Sequence, residues 1–355
     1  MNISLFKLFP AAFLLSVFIS ACSSPPPALP ADANRPAHHT AAGFRNTDTS
    51  VTPILDTMSS DAHVNIRRTR TYALPLDSGN KALWRTPGVN SLTWIGHSTF
   101  YIRWNNTGIL TDPIFSDRAS PVSFAGPKRG TPPGHSLDSL PEVNLVLISH
   151  SHYDHLDKKS IQMIFKKYPK CVFAVPLKVR ELLESWKIPS AQIIELDWWQ
   201  AAAFREMTLT FVPAHHTTRR GAFKSSRDVS LWGGWVIELA GKKLWFAGDI
   251  AMGDGSYYRE IADKFAPIDL ALLPIGGYKP SRYTRQHTSP RQAAQIHQTV
   301  QSKHSVGMHW GTFGDMTFEE LEDPPRDLQR ARKELQIPEN SFHTLRHGEI
   351  VEILR

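Results

Sequence analysis

Six consecutive residues hold the densest set of potential metal ligands in this sequence, His150-Ser151-His152-Tyr153-Asp154-His155. They follow an apolar run that ends at Ser149 and is predicted to be a buried strand. His150 and His152 alternate, so in an extended stretch both can face one point, whereas Asp154 and His155 lie at a turn and can face a neighbouring point. Nitrogen and oxygen donors of this kind suit zinc, and less exclusively manganese or iron.

Three other predicted strand ends supply donors of the same type, at His215-His216, Asp249 and His309. A single strand-terminal histidine or aspartate is usually only a polar residue, but several at one sheet edge predict a shared site. The ligands suffice for two ions: His150, His152 and His216 on one, Asp154, His155 and His309 on the other, and Asp249 bridging them. Each ion then keeps a position open for solvent, which is typical of catalytic sites.

Short apolar runs and helical segments must position these donors. The runs are β-branched or aromatic and bounded by Gly, Pro, Asn or Asp, as buried strands are. The predicted strands are Ser91–Ile95, Gly108–Thr111, Leu145–Ser149, Val172–Val175, Leu209–Val212, Trp235–Leu239, Leu244–Ala247, Leu270–Leu273, Ser305–Met308 and Ile350–Leu354. Helices are predicted over Asp157–Tyr168, Pro176–Lys187 and Thr288–Gln301. This order predicts an α/β fold of two sheets with helices on their outer faces, in a single domain.

The composition is that of a folded protein, with 41% hydrophobic and 21% charged residues among 355. It excludes a disordered chain, and the lack of long uncharged stretches beyond the N-terminus excludes a multi-pass membrane protein. Two cysteines cannot build a disulfide framework, and Cys171 lies in an apolar run where we expect it to be buried. The net charge of +7 suits an anionic substrate or a membrane surface, and equally plain solubility charge.

Residues 1–21 resemble a bacterial lipoprotein signal peptide. Lys7 precedes a stretch of 14 uncharged residues that is too short to span a bilayer. Ile19-Ser20-Ala21-Cys22 resembles a lipobox, in which Cys22 would be lipidated; the alternative is a secretory signal with a chance cysteine. Ser23 resembles the residue found in lipoproteins sorted to the outer membrane. We therefore expect a protein that is lipid-anchored in the bacterial envelope, in the outer membrane and facing the periplasm.

Residues 22–65 are predicted to be a tether between this anchor and a domain formed by residues 66–355. They are rich in Pro, Ala, Ser and Asn and have no hydrophobic period. The pair His38-His39 lies in this stretch, and we interpret it as incidental.

The metal-binding residues carry a resemblance to the metallo-β-lactamase fold superfamily, through His-x-His-x-Asp-His, the later histidine, Gly248-Asp249 and His309. Further segments are similar to its N-acylphosphatidylethanolamine-hydrolysing phospholipase D-like branch. In order, they are Trp94–Thr99, Leu110–Ser116, Arg118–Pro121, Gly126–Arg129, Leu231–Trp235, Pro274–Tyr278 and His309–Phe313. The resemblance covers roughly residues 65 to 355 and implies a four-layer αβ/βα sandwich with two zinc ions at one edge, held by the ligands named above.

The resemblance also assigns roles to residues beside the ligands. It implies that His97 and Asp112 support the ligands without binding metal, and that His287 lies close to the substrate phosphate. His287 is therefore a candidate catalytic residue, together with Asp154 and Asp249.

One position departs from the family. Where the animal enzymes have Gln-His-Trp, this chain has His215-His216-Thr217. Position favours His216 as the ligand, and His215 remains the alternative.

The implied reaction is hydrolysis of a phosphodiester. A solvent molecule that bridges two zinc ions would become a hydroxide nucleophile near neutral pH. In-line attack on N-acylphosphatidylethanolamine or a related phospholipid would release phosphatidate and an N-acylethanolamine.

Several residues near the predicted site loops are candidates for substrate binding. Those that could hold the anionic head group, or could equally be solvated loop charge, are Arg219, Arg220, Lys224, Lys279, Arg282 and Arg285. Tyr278 and Trp310, in the family segments, are further candidates. The residues that either line an acyl-chain pocket or pack in the core are Trp198, Trp199, Trp232 and Trp235.

Two other functions stay open at this stage. The first is a lactonase acting on small or sugar-phosphate lactones, and the second is a non-catalytic surface lipoprotein that keeps the fold for binding. The expected partners are a phospholipid or other anionic ester substrate and a membrane reached through the lipid anchor. The export signal disfavours nucleic acid, and no obligate protein partner is evident.

Overall fold

The computed structural model describes residues 36–48, 73–221, 226–314, 316 and 318–354. The predicted signal peptide, Cys22 and most of the predicted tether lie outside these residues. Among the helices that are described, none is both long enough and apolar enough to cross a bilayer.

The described residues form two seven-stranded sheets. The strands of the first half of the chain are β1 (Ser91–Gly96), β2 (Thr99–Trp104), β3 (Thr107–Thr111), β4 (Leu145–Leu147), β5 (Val172–Pro176), β6 (Ile193–Leu196) and β7 (Ala201–Phe204). Those of the second half are β8 (Met207–Val212), β9 (Gly234–Leu239), β10 (Lys242–Phe246), β11 (Leu270–Pro274), β12 (His304–Met308), β13 (Phe342–Thr344) and β14 (Ile350–Glu352).

The two sheets have related orders. The first runs β14-β1-β2-β3-β4-β5-β6 and the second β13-β12-β11-β10-β9-β8-β7. Strands β3 to β6 are parallel in one sheet and β10 to β13 are parallel in the other. Because parallel strands end at the same edge, the loops that follow β4, β10 and β12 can meet where the two sheets face each other.

Five helices connect these strands. They are α1 (Lys158–Lys167), α2 (Arg180–Ser185), α3 (Ser256–Phe265), α4 (Pro290–Thr299) and α5 (Asp323–Glu334). The Asp157 side chain caps α1, and Ser289 with Gln292 forms a capping box at α4, where Pro290 is the first helical residue. These caps satisfy backbone N–H groups that would otherwise lack partners at the helix starts.

Apolar side chains fill the space between the sheets and the space beneath the helices. Trp94, Phe211, Trp235 and Phe246 are fully buried in the central cluster. A second cluster joins Ile161 of α1 and residues of α2 to the outer face of the first sheet, whereas α3, α4 and α5 cover the second sheet. The layers are therefore helix, sheet, sheet and helix, which confirms the predicted αβ/βα sandwich.

All ten predicted strands are present, with ends shifted by one or two residues. The strands that sequence patterns missed are β2, β6, β7 and β13, and the missed helices are α3 and α5. β7 is an alanine-rich edge strand that is partly exposed, so it lacks the apolar alternation of a core strand. Helix α2 is shorter than predicted, because Pro176 still belongs to β5 and Lys178 has a positive φ of 70°.

Part of the predicted tether is instead docked on the domain. Within residues 22–65, the segment 36–48 contacts helix α3 and the loops that carry Asp197, His216 and Asp228, and we call this segment the strap. Phe44 is only 6% exposed and belongs to the central core cluster. The tether prediction is wrong for these residues, because the strap is held by single buried side chains and hydrogen bonds that leave no period in the sequence.

Candidate metal centre

The predicted metal ligands come from four strand ends and lie together at one edge of the sandwich. The loop after β4 carries His150, the loop after β8 carries His216, Asp249 follows β10 and His309 follows β12. All four of these side chains are buried. Residues that are 159 positions apart in the sequence, such as His150 and His309, therefore share one small space because the strands that carry them end at the same edge.

The first group of donors consists of His150, His152 and His216, as the sequence predicts. The Nε2 atom of His150 lies 2.9 Å from Nδ1 of His152, and Nε2 of His216 lies 3.4 Å from the same Nδ1 atom. One nitrogen from each ring thus falls within 4.8 Å of the other two. Three imidazole nitrogens in this arrangement suit a cation such as zinc.

The second group contains Asp154, His155 and His309, again as predicted. Asp154 Oδ2 lies 3.2 Å from Nε2 of His155 and 3.6 Å from Nε2 of His309. His97 also belongs to this group of potential donors. Its Nε2 atom lies 2.9 Å from Asp154 Oδ2, so it is positioned to orient that carboxylate.

Asp249 lies between the two groups. Its Oδ2 atom is 3.1 Å from Nε2 of His155 and 3.2 Å from Nε2 of His309 in the second group. The same oxygen is 3.8 Å from Nε2 of His216 and 3.9 Å from Nε2 of His150 in the first group. This central position is the one that a bridging carboxylate requires.

Unpartnered polar atoms show that the donors fit a metal. Both carboxylate oxygens of Asp249, Nε2 of His155 and both ring nitrogens of His309 are buried and make no hydrogen bond with any residue that the structure describes. A buried polar atom without a partner costs about 1–3 kcal/mol, so a cluster of them is unfavourable unless a ligand satisfies it. Because they converge within a few ångströms, a metal ion at this point would satisfy them together.

Charge at the centre also favours cations. Burial alone would raise the pKa of Asp249, but the charges of His155 and His309 outweigh it and hold that pKa well below its usual range. Burial opposes the charged form of His309, yet Asp249 and Asp154 raise its pKa to about 9. The carboxylates therefore stay ionised and attract positive charge, whether it is a proton or a metal ion.

The first group behaves differently because fewer carboxylates face it. Burial, with the neighbouring imidazoles His155, His152 and His216, lowers the pKa of His150 well below its usual value. Burial likewise lowers the pKa of His216, even though Asp249 acts in the opposite direction. Both rings are therefore neutral at physiological pH, and a neutral imidazole is the form that binds metal.

Asp112 holds two of the ligands from behind. One of its oxygens lies 2.6 Å from Nδ1 of His155 and also accepts a hydrogen bond from the Ser149 hydroxyl. Its other oxygen accepts from the Ser149 backbone N–H, and the Ser149 hydroxyl lies 2.8 Å from Nδ1 of His150. These contacts occupy the Nδ1 atoms and leave Nε2 of both histidines facing the centre, as a supporting residue of a metal site does.

Several residues at the centre have a left-handed backbone. The φ angles of His97, Asp112 and His309 are +55°, +33° and +62°, values that side chains other than glycine seldom adopt. Gly248, beside Asp249, has φ +66°, and a Cβ atom there would lie 2.5 Å from Cβ of Ser149. The sharp turns at these strand ends aim the donors inward, and the local conformational cost must be offset by the surrounding packing.

The structure resolves the choice between His215 and His216. His216 points into the centre, and its Nδ1 lies 2.8 Å from the Gln286 carbonyl oxygen, which leaves Nε2 free for a metal. His215 points away, with Nδ1 at 2.6 Å from Asp48 Oδ2.

His287 lies beside Asp249, as the resemblance implies. Its Nδ1 atom is 3.7 Å from Asp249 Oδ2 and makes no hydrogen bond within the described part of the chain, and its side chain is 18% exposed. Burial is the main cause that lowers its pKa to about 4.

The predicted substrate-binding residues are mostly engaged elsewhere. The Arg220 guanidinium donates to the carbonyl oxygens of Ser151 and Leu156, so it braces the ligand loop rather than offering itself to an anion. Tyr278 donates to Asp327 at 2.5 Å and is buried. The predictions of substrate contact by Arg220 and Tyr278 are therefore corrected. Trp310 stacks on Trp94 with ring centroids 5.1 Å apart and lines a cavity with His97 and His309, so its contact with substrate stays a prediction.

Arg219 is exposed, and its role as a substrate-binding residue stays a prediction. Lys279 pairs with Asp323 at 2.7 Å. Trp198, Trp232 and Trp235 are core residues, since each is at most 6% exposed.

Sequence patterns did not predict that residues of the strap contact the loop that carries His216. Asn46 hydrogen-bonds the backbone of His216, and Asp48 lies against His215. Their only sequence signal is a pair of polar residues two positions apart in a proline-rich region, which is common in linkers.

Removal of the Asp112 charge tests this support. Asp112→Asn should weaken zinc binding by about 10- to 100-fold, because the amide presents an N–H group to one of its neighbours and no longer orients both histidines. Chelator competition at equilibrium measures the affinity, and Asp263→Asn, an exposed position on α3, is the matched control. Wild-type affinity in Asp112→Asn would contradict the role of Asp112.

Comparisons with known proteins show the family of this chain. Residues 107–310 match the family described as Beta-lactamase superfamily domain. The chain is 35% identical over 271 residues to N-acyl-phosphatidylethanolamine-hydrolyzing phospholipase D 1 of Caenorhabditis elegans, which covers 73% of this chain and 75% of that protein. It is 28% identical to a UPF0173 metal-dependent hydrolase of Pyrococcus furiosus, over 62% of this chain and 85% of the relative.

Solved structures show the same fold. Igni18, a metallo hydrolase from Ignicoccus hospitalis, aligns with a TM-score of 0.57 and 21% identity. The alignment covers 75% of this chain and 99% of Igni18. The matched segment contains every predicted ligand from His150 to His309. The chain therefore belongs to the β-lactamase superfamily and has the metallo-β-lactamase fold, with N-acylphosphatidylethanolamine-hydrolysing phospholipases D among its relatives.

Proposed function

We propose that this protein is a dinuclear zinc phosphodiesterase of the phospholipase D type, which acts on N-acylphosphatidylethanolamine or a related phospholipid. Its family makes it a metal-dependent hydrolase. The observation that carries the finer proposal is the pair of donor groups on either side of Asp249, in a chain that is 35% identical to a phospholipase of this specificity. Zinc suits a set dominated by imidazoles, and manganese or iron are the alternatives.

In the proposed reaction, the metal-binding groups activate the nucleophile and stabilise charge on the substrate. Cations bound to the two groups would supply an activated solvent nucleophile and stabilise negative charge on the phosphoryl oxygens. Asp249 would hold the two groups at a fixed separation, and Asp154 would keep its orientation through His97. In the reaction, the oxygen of water bonds to phosphorus, the bond from phosphorus to the N-acylethanolamine oxygen breaks, and that oxygen takes up a proton.

His287 is the residue we assign to the phosphodiester itself. Its side chain is partly exposed, and its buried Nδ1 atom, 3.7 Å from Asp249 Oδ2, has no hydrogen-bond partner among the described residues. A phosphoryl oxygen next to the metals would give this nitrogen a partner. His287 would then orient the substrate or move a proton at Nδ1.

The activity is tested with the full-length chain, loaded with zinc, in detergent micelles that contain N-acylphosphatidylethanolamine. We expect release of N-acylethanolamine and phosphatidate, measured by mass spectrometry, and loss of nearly all release in His150→Ala. His304→Ala, at an exposed histidine, is the matched control and should keep full activity. A protein that holds two zinc ions but releases neither product would refute the lipid specificity, and hydrolysis of lactones instead would support the lactonase alternative.

The role of His287 predicts a separate result. His287→Ala should lower kcat/KM by about 100-fold or more, as expected for loss of a group that transfers a proton or orients the substrate. It should still bind both metal equivalents, which metal analysis of the purified variant measures. Loss of one equivalent would instead show that His287 is a metal ligand, and unchanged kinetics would exclude contact with the substrate.

We also propose that the protein is lipid-anchored in the bacterial envelope, in the outer membrane and facing the periplasm. The support is the resemblance of residues 1–22 to a lipoprotein signal. In a Gram-negative host, Cys22→Ala should abolish labelling by palmitate and release the protein from the membrane fraction. Cys171→Ala removes the only other cysteine and should retain both properties. Equal labelling of the two variants would refute lipidation at Cys22.

A further inference from the structure

We propose that the strap, residues 36–48, completes the metal centre, and that Asn46 and Asp48 are positioning residues for the loops that carry His216 and Asp249. This inference rests on the proposed metal binding and not on the identity of the substrate. It concerns residues that lie outside the segment matched by the family, which begins at residue 107.

Asn46 makes a two-point contact with the ligand His216. Its side-chain N–H group donates to the His216 carbonyl oxygen at 2.8 Å, and its side-chain oxygen accepts from the His216 N–H at 3.2 Å. The same oxygen lies 3.3 Å from Nε1 of the buried Trp232. A side-chain amide offers a donor and an acceptor in one plane, so Asn46 fixes the backbone of this ligand as a neighbouring strand would.

Asp48 fixes the residue that precedes this ligand and also a second loop. Its carboxylate is only 1% exposed and lies 2.6 Å from Nδ1 of His215. It also approaches Gly253 so closely that a Cβ atom there would lie 2.1 Å from Asp48 Oδ2. The His215 carbonyl oxygen in turn accepts from the N–H of Ala251, two residues beyond Asp249. The strap therefore contacts the loop of His216 and the loop of Asp249 together.

The strap is anchored along its length. The hydroxyl of Tyr257, on α3, lies 2.6 Å from the N–H of Thr47, and Phe44 is packed in the core. These contacts place Asn46 and Asp48 without help from the metal ligands. A flexible tether would leave Asp48 in solvent, whereas here its carboxylate is buried against His215, because a charge taken out of water needs a partner.

A latch of two histidines holds the other end. His38 Nε2 lies 2.6 Å from Asp197 Oδ1, His39 Nε2 lies 2.8 Å from Asp197 Oδ2, and the His38 ring stacks on Trp198. Unlike the metal centre, this trio contains no buried side-chain nitrogen or oxygen atom without a hydrogen bond. The pair that seemed incidental in the sequence therefore joins the strap to the domain, and the trio is satisfied without a metal.

This arrangement predicts a selective effect on metal binding. Loss of the Asn46 amide frees the backbone of His216 and should weaken the ion bound by His150, His152 and His216. The group of Asp154, His155 and His309 has no contact with Asn46 among the hydrogen bonds of the structure, so its ion should be affected much less.

The experiment compares Asn46→Ala, Asn46→Asp and Asp48→Asn with the wild type, as full-length chains in detergent and without substrate. Cobalt titration followed by visible absorption and chelator competition resolves the two equivalents. We expect Asn46→Ala to weaken one equivalent by about 10-fold or more and to change the other less than about threefold. Asn46→Asp, which can accept from the His216 N–H but not donate to its carbonyl, should be intermediate. Asn340→Ala, at an exposed asparagine, is the matched control.

Unchanged affinity for both equivalents in Asn46→Ala and Asp48→Asn would overturn the proposal. If either variant loses its cooperative thermal unfolding, metal affinity is measured instead in the double variant His38→Ala/His39→Ala. These substitutions loosen the strap at a point far from the ligands. Weakening of one equivalent in that variant supports the proposal, and wild-type affinity overturns it. Lack of phospholipid hydrolysis by a wild type that binds both ions would refute only the proposed substrate.

Discussion

The rest of this structure depends on the contact between the buried carboxylate of Asp249 and the histidines that surround it. The carboxylate is buried, makes no hydrogen bond with the residues that the structure describes, and lies within 3.9 Å of a nitrogen of His150, His155, His216 and His309. Such a concentration of polar groups in a space with little water is unfavourable unless a cation compensates it. The fold must therefore hold these groups apart from solvent and from each other until a metal binds.

Two kinds of contact meet this requirement. Strand ends bring the donors from distant parts of the sequence, and hydrogen bonds behind them fix the direction of each ring. Asp112 and Ser149 do this for His155 and His150, and the Gln286 carbonyl does it for His216. In each case one ring nitrogen is occupied by the protein, so the other is left for the metal.

The core contributes to the same end. The indole N–H of Trp235 donates to the carbonyl oxygen of Ile148, and that of Trp232 donates to the carbonyl oxygen of Ala214. These carbonyl groups lie two residues before His150 and His216. Large aromatic residues that pack between the sheets therefore also fix the backbone that precedes two of the candidate ligands. This is why Trp232 and Trp235 are core residues and do not line an acyl-chain pocket.

The strap moves the N-terminal boundary of the folded domain to residue 36 among the described residues. Residues that look like part of a linker carry Asn46 and Asp48 to the loops of His216 and Asp249.

The sequence by itself determined the fold class and predicted the candidate metal ligands that the structure brings together. Metal donors must have particular chemistry, and strands must be apolar and bounded by turn residues, so both leave local patterns such as His150–His155 and Leu145–Leu147. It could not place the edge strand β7, whose alanines carry little β preference, or show that Arg220 and Tyr278 are already engaged.

Only the tertiary structure decided between His215 and His216, which have the same chemistry and differ by one position. The decision depends on Asp48 and Gln286, which lie far from them in sequence, and on strand ends that turn each ring in or out. The role of the strap was hidden for the same reason. The strap docks through one buried aromatic and a few polar side chains, which leave no hydrophobic period in the sequence. The surfaces that these side chains contact form only when the domain folds.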